Sequence, residues 1–233
     1  MLNRAEESCV KFSGDWQHPL VIKFALQNSF FKSIAMDYKI PDAIRYMEGM
    51  SGKKYRYLIN NLIGSLDDAR YLEVGSWAGS TACSAMYGNK CKVTCVDNWS
   101  EFGGPKDAFL HNTNSARSDD VEFQLIESDF RTIDYNNIGK YNVYMFDGPH
   151  LEQDQYDGVV IAQPALDDEY LLIVDDYNGF DIQNGTIRAV NDLNLDVIAS
   201  LQITTRNDGN FAQIGHHQSD WHNGYLIAVV TKK

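Results

Sequence analysis

The chain has 233 residues, of which 44% are hydrophobic and 22% charged, enough apolar material for one large α/β domain and too much for global disorder. Its formal net charge is -12, with a sequence pI near 4.8. A diffuse negative field repels phosphate backbones and anionic lipid heads, so nucleic-acid and membrane partners are not expected.

The opening MLNRAEESCVKF has no long apolar region and no small-residue cleavage site, and no stretch approaches the roughly 20 apolar residues of a membrane helix. A cytoplasmic chain is expected. Cys9, Cys83, Cys91 and Cys95 lack paired metal-type spacing and read as reduced, mostly buried thiols.

Apolar residues recur at helical spacing over residues 19–35 and 41–66, as at Leu58, Leu62 and Leu66, predicting two N-terminal helices. From residue 70 the pattern alternates. RYLEVG, KVTCVD, VEFQLIES, KYNVYMFDG and EYLLIVDDY read as strands. GSTACSAMYG, KDAFLHNTNSA, LEQDQYDGVVIAQPAL and TIRAVNDLN read as helices between or after them. LDVIASLQITT and GYLIAVVTKK close the chain as two further strands around a polar loop. The alternation predicts βαβ units and a mostly parallel sheet of seven strands with helices on both faces. Residues 1–66 read as an N-terminal helical extension and residues 67–233 as the main domain. The exposed helix pair offers a surface for a second subunit, so a homo-oligomer is one expectation.

Ligands of such sheets bind outside the carboxyl ends of the strands. Those ends carry Glu73, Asp97, Ser128 with Asp129, Asp147, and Asp175 with Asp176. The first loop, Glu73 to Gly79, reads E-x-G-x-x-x-G. It lacks the G-x-G-x-x-G that admits a dinucleotide pyrophosphate, which counts against a nicotinamide-dependent oxidoreductase. One tight turn beside an acid suits a ligand with a cationic amino-acid tail. Asp97, ending the next strand, is placed to accept hydrogen bonds from ribose hydroxyls.

These motifs resemble those of the class I S-adenosylmethionine-dependent methyltransferases: YLEVGSWAGST the first, VTCVDNW the second, IESDFR the third, VYMFDGPH the fourth and LLIVDDY the fifth. The likeness spans residues 70 to about 190. It is nearest to the D-G-x-H / D-D-Y subgroup of sugar and macrolide O-methyltransferases. It implies a Rossmann-like fold and an S-adenosylmethionine site. Gly75, Ser76 and Gly79 would shape the turn around the methionine part, with Glu73 near its amino group. Ser80 and Thr81 would open a helix toward its carboxylate. Asp97 would hold the ribose, Trp99 would flank the adenine, Ser128 or Asp129 would reach its edge, and Asp147 would contact the cofactor.

Asp147, Asp175 and Asp176 end strands that would lie side by side. Converging carboxylates disfavour one another's ionisation, and a divalent cation resolves the conflict. All-oxygen ligands favour magnesium or a similar ion. Alternatively, Asp175 and Asp176 only cap a loop. In the related magnesium-dependent families a base sits at or near this offset, so the resemblance implies that His150, three residues after Asp147, takes a proton from an acceptor hydroxyl; a surface histidine is the alternative. His150 and Asp147 are thus the candidate catalytic residues. The expected reaction is metal-assisted O-methylation of a small hydroxylated molecule or sugar. A metal-independent methyltransferase and a non-catalytic cofactor-binding protein remain alternatives. The glycine-containing stretch NWSEFGGPKDAF has the composition of a lid. His216, His217 and His222 sit in a polar loop between the last two strands and read as solvated, with contact to a substrate the alternative.

Overall fold

The computed structural model describes residues 7–233; the first six residues of the opening segment lie outside the described residues. The chain runs β1 (Cys9–Gly14), α1 (Val21–Ile34), α2 (Asp42–Arg45), α3 (Lys53–Gly64), β2 (Ala69–Val74), α4 (Ser80–Met86), β3 (Cys91–Asp97), α5 (Lys106–Ala116), β4 (Val121–Glu127), β5 (Tyr141–Phe146), α6 (Glu152–Ile161), β6 (Leu166–Val174), α7 (Phe180–Asp192), β7 (Asp196–Thr204) and β8 (Tyr225–Thr231). The strands form one sheet in the order β1-β7-β8-β6-β5-β2-β3-β4. Strands β2 to β6 pair in parallel, whereas β8 runs antiparallel to β6 and to β7.

The central strands are buried on both faces, and alternate residues serve two cores. Tyr71, Val93, Met145 and Ile173 face one core, with α1, α3, α4 and α5 packed over it. Leu72, Val96, Phe146 and Val174 face the other, which α6 and α7 cover. Helices therefore lie on both faces, as the sequence pattern predicts. Among the described residues no helix is long and apolar enough to cross a membrane.

The sheet has eight strands and not the expected seven. The additional strand is β1, which pairs antiparallel with β7 from Cys9 opposite Thr204 to Gly14 opposite Ala199. Only one flank of β1 is paired and most of its residues are exposed. It therefore lacks the continuous apolar run of a central strand. The N-terminal segment is accordingly not helical throughout.

The expected helix over 41–66 is broken into α2 and α3. Arg56, fully buried, explains the break. Its Nη1 donates to the carbonyls of Ile44 at 2.9 Å, Arg45 at 3.2 Å and Met47 at 2.8 Å, and its Nη2 to Gly49 at 3.3 Å. Its Nε donates to Ser51 Oγ at 3.0 Å. One guanidinium thus satisfies carbonyls that an unbroken helix would have satisfied. The freed segment 46–52 carries Met50 to the mouth of the site.

Candidate active site

The parallel strands reverse their order of addition between β2 and β5, the switch point where an open sheet leaves a crevice. Two loops meet there. Asp147 N donates to Val74 O at 2.9 Å and Gly75 N to Val96 O at 2.9 Å. Gly75 has φ +86°, and a Cβ on it would lie 1.8 Å from Asp147 O. Only glycine fits both the backbone conformation and the approach.

A cleft of about 210 Å³ opens beside this contact, with Gly75, Trp77, Asp97, Ser128 and Asp129 among its walls. Asp97 organises it. One carboxylate oxygen accepts from the Ser76 and Trp77 amides at 2.8 and 2.7 Å, and the other from the Trp99 amide at 2.7 Å. A carboxylate offers about four lone-pair sites, so roughly one remains for a ligand hydroxyl.

Other expected residues sit behind the cleft. Ser80 and Thr81 are buried, and Ser80 Oγ meets Ser51 Oγ at 3.0 Å. Gly79 begins α4 at φ +85°. Trp99 does not line the cleft: its ring packs edge-on against Phe109 and its Nε1 donates to Trp77 O at 3.0 Å. Trp77, Phe102 and Phe130 supply the aromatic walls instead. Trp77 was legible as the bulky residue inside the glycine turn, although its role was not.

Glu73 is 1% exposed and accepts from the Tyr71 hydroxyl at 2.6 Å, while its Oε1 and the Ser76 hydroxyl have no hydrogen-bond partner. Burial pushes its carboxyl up to about 7, with the Tyr71 hydroxyl and the nearby Ser76 hydroxyl, which falls short of hydrogen-bond geometry, opposing. A buried acid with one free oxygen fits a nearby cationic group.

A second cavity, of about 420 Å³, lies across the tetrapeptide Asp147–His150. Gly148 and Pro149 face the first cleft; Asp147 and His150 face the second. Asp175 and Asp176 line the second as well, so all four expected acceptor-side residues meet there. One ligand atom each from Asp147, His150 and Asp176 lies within 4.8 Å of the others. Asp175 is outside that trio: it is 3% exposed, and its Oδ1 accepts from the Asp176 amide at 2.8 Å.

The electrostatics follow from the crowding. Burial, then the charges of Asp175 and Asp176, push the Asp147 carboxyl well above the usual range. Burial and Asp176 push Asp175 up in the same way. Burial also opposes charge on Asp176, but His150, at 2.9 Å, and Asn223, at 2.7 Å, outweigh it and hold its carboxyl low. The same bond with Asp176 raises His150 above the ordinary imidazole value, against burial.

The remaining walls come from distant loops. Met50, Phe102, Phe211, His216 and His222 line this cavity. His216 N donates to His222 Nδ1 at 3.0 Å. His217 instead meets the Tyr46 ring edge-on. Met50, Phe211 and Asn223 carried no sequence signal, because no spacing rule brings those loops together.

No known family profile matches the sequence, and no curated protein sequence is significantly similar. Solved structures do match in shape. The SAH-bound methyltransferase PaMTH1 from Podospora anserina superposes with a TM-score of 0.53 at 14% identity, over 90% of this chain and 88% of that one. The fold is that of the S-adenosylmethionine-dependent methyltransferases. A provisionally assigned methyltransferase of this kind from Streptococcus mutans gives 0.55 at 13% identity over 77% of this chain, which spans about half, 48%, of that protein. A provisionally assigned RNA methyltransferase from Pyrococcus horikoshii, PH1948, gives 0.52 at 12% identity, over 88% and 97% of the two chains. The chain thus shares its fold with solved methyltransferases, one of them a provisionally assigned RNA methyltransferase, and a fold does not by itself fix what a chain binds or acts on.

Proposed function

We propose that the chain is an S-adenosylmethionine-dependent methyltransferase that methylates an oxygen of a small hydroxylated molecule or sugar, assisted by magnesium or another divalent cation. The observation that carries this reading is the convergence of Asp147, His150 and Asp176 in a cavity divided by a single tetrapeptide from the cleft at the switch point.

The residues fit both groups. For the cofactor, Asp97 has a remaining acceptor position at the cleft, and Glu73 keeps one buried oxygen unpaired beneath the glycine turn. For the cation, Asp147, Asp175 and Asp176 crowd their charges in one cavity. Asp147 and Asp176 would hold the ion, with Asp175 behind them. S-adenosylmethionine supplies an electrophilic methyl group, and a divalent cation supplies Lewis acidity at the acceptor oxygen.

The chain's own residues do the rest. His150 takes the acceptor proton at its ring nitrogen, oriented by Asp176. The Asp147–His150 tetrapeptide fixes donor and acceptor on its two sides, and positioning of this kind supplies roughly 7–11 kcal/mol of a barrier. Phe102, which borders both cavities, and the rest of the 98–105 loop exclude water. The net charge of -12 supports a small acceptor over a nucleic acid.

One observation favours a metal-independent version. Asp176 is already paired with His150 and Asn223, so part of the negative charge is neutralised without an ion.

Calorimetric titration with S-adenosylhomocysteine, in magnesium and in EDTA, followed by acceptor screening in both buffers, tests these readings. Absence of binding in either buffer removes the cofactor assignment. Turnover that survives EDTA selects the metal-independent version.

A further inference from the structure

We propose that β1 and α1 form the contact surface of a homodimer in which two sheets join edge to edge through β1. This inference does not depend on the proposed function.

Fourteen large hydrophobic side chains are conspicuously exposed among the described residues, and seven of them fall between Val10 and Met36. Helix α1 has two apolar faces. Ile22, Leu26 and Phe30 are buried against the core, while Val21 at 74%, Phe24 at 49%, Phe31 at 55% and Ile34 at 42% lie exposed at helical spacing on the other side. A surface helix ordinarily carries polar residues there. The patch continues onto the sheet: the Phe12 ring stacks with Phe31 at 6.4 Å and meets Phe30 edge-on at 5.4 Å. Val10 and Phe12, two apart on the strand, share the α1 side of the sheet and are 36% and 38% exposed.

The occupant follows from the backbone and the charge. Among the described residues strand β1 ends the sheet, so its outer row of N–H and C=O groups has no strand partner there. An antiparallel pair of identical strands is self-complementary about a twofold axis. With that axis perpendicular to the sheet, each face stays on its own side. The two α1 helices then meet on the same face, and one operation covers both the bare strand edge and the bare helix stripe. A lipid surface satisfies neither the strand edge nor the field of a chain with net charge -12.

The same charge makes two copies repel over most of their surface. Between Ser8 and Met36, however, the one acidic residue is Asp15, and Lys11 and Lys32 are exposed. This face is therefore where a second acidic copy meets least repulsion.

Sedimentation equilibrium of the full chain at micromolar concentration tests the proposal. The expected mass is twice 26.4 kDa. Phe24→Asp/Phe31→Asp should sediment as a monomer with an unchanged far-ultraviolet circular dichroism spectrum. Val21→Lys, at the most exposed position, serves as the second variant if the double variant misfolds. A wild-type monomer, or a dimer that survives these substitutions, overturns the proposal. So does a monomer that co-floats with phosphatidylcholine–phosphatidylserine vesicles, which would assign the face to a membrane.

Discussion

His150 Nε2 and Asp176 Oδ2 lie 2.9 Å apart, joining the loop after β5 to the turn after β6. Asp176 adopts φ +53°, and its carboxylate meets His150 and Asn223, whereas that of Asp175 caps the Asp176 amide. A largely buried carboxylate thus orients the imidazole that faces the second cavity.

Replacing His150 with Asn removes the proton acceptor while keeping a polar group of similar reach. Turnover is expected to fall by roughly 10²- to 10⁴-fold. S-adenosylhomocysteine affinity should stay near wild type, since His150 does not line the cleft at the switch point. Single-turnover kinetics beside calorimetry separate the two quantities, and undiminished turnover would remove His150 from the mechanism.

Glu73 gives a signed pH dependence. Its folded pKa of about 7 lies above the 4.5 of an ordinary glutamate. Below that lower value the group is protonated in both states and contributes nothing. As pH rises toward 7 the unfolded chain loses the proton first, so stability falls, by an amount on the order of 3 kcal/mol, and then levels off. Glu73→Gln should lack this component. Urea unfolding at pH 5 and pH 8 should therefore show the variant gaining on wild type at the higher pH. Parallel behaviour of the two proteins would contradict the assignment.

Gly75→Ala places a methyl group against Asp147 O in a left-handed backbone. The loop must move, at a cost of at least about 2 kcal/mol. Because Asp147 is part of the contact, cofactor affinity and turnover should both drop. A variant with wild-type melting temperature and wild-type binding would show that the two loops are not held as described.

Arg56→Met keeps much of the side-chain volume and strips the donors from four carbonyls between Ile44 and Gly49. Destabilisation of about 3–5 kcal/mol is expected. Amide hydrogen exchange should accelerate in residues 46–52 ahead of the rest of the chain. Uniform exchange across the molecule would argue against a local role.

The central architecture was readable because parallel strands buried on both faces leave short apolar runs, as in Leu171–Val174, and because each run ends in a polar residue at the crevice. Strand β1 was not readable: CVKFSG is paired along one flank and largely exposed, so it lacks that imprint. The break before α3 was hidden for another reason. Residues 41–66 keep helical periodicity, and the cause of the break is the long-range reach of Arg56, which no periodicity records. In the site, the strand-end acids announced themselves, but the opposite roles of Asp175 and Asp176 depend on one backbone angle. Trp99 and Phe102 illustrate the same limit. Both sit in the lid-like stretch, and only the fold decides which ring reaches a cavity.

The tetrapeptide Asp147–His150 presents its middle pair to one cavity and its end pair to the other. On the proposed function, a change in that partition disturbs donor and acceptor together. Met50 and Phe211 border the second cavity and not the first cleft. Diversification toward new acceptors is therefore open through residues 46–52 and 205–222, while the shared wall stays under double constraint. Libraries confined to those two loops should yield altered acceptor preference with intact cofactor binding more often than libraries that include the wall.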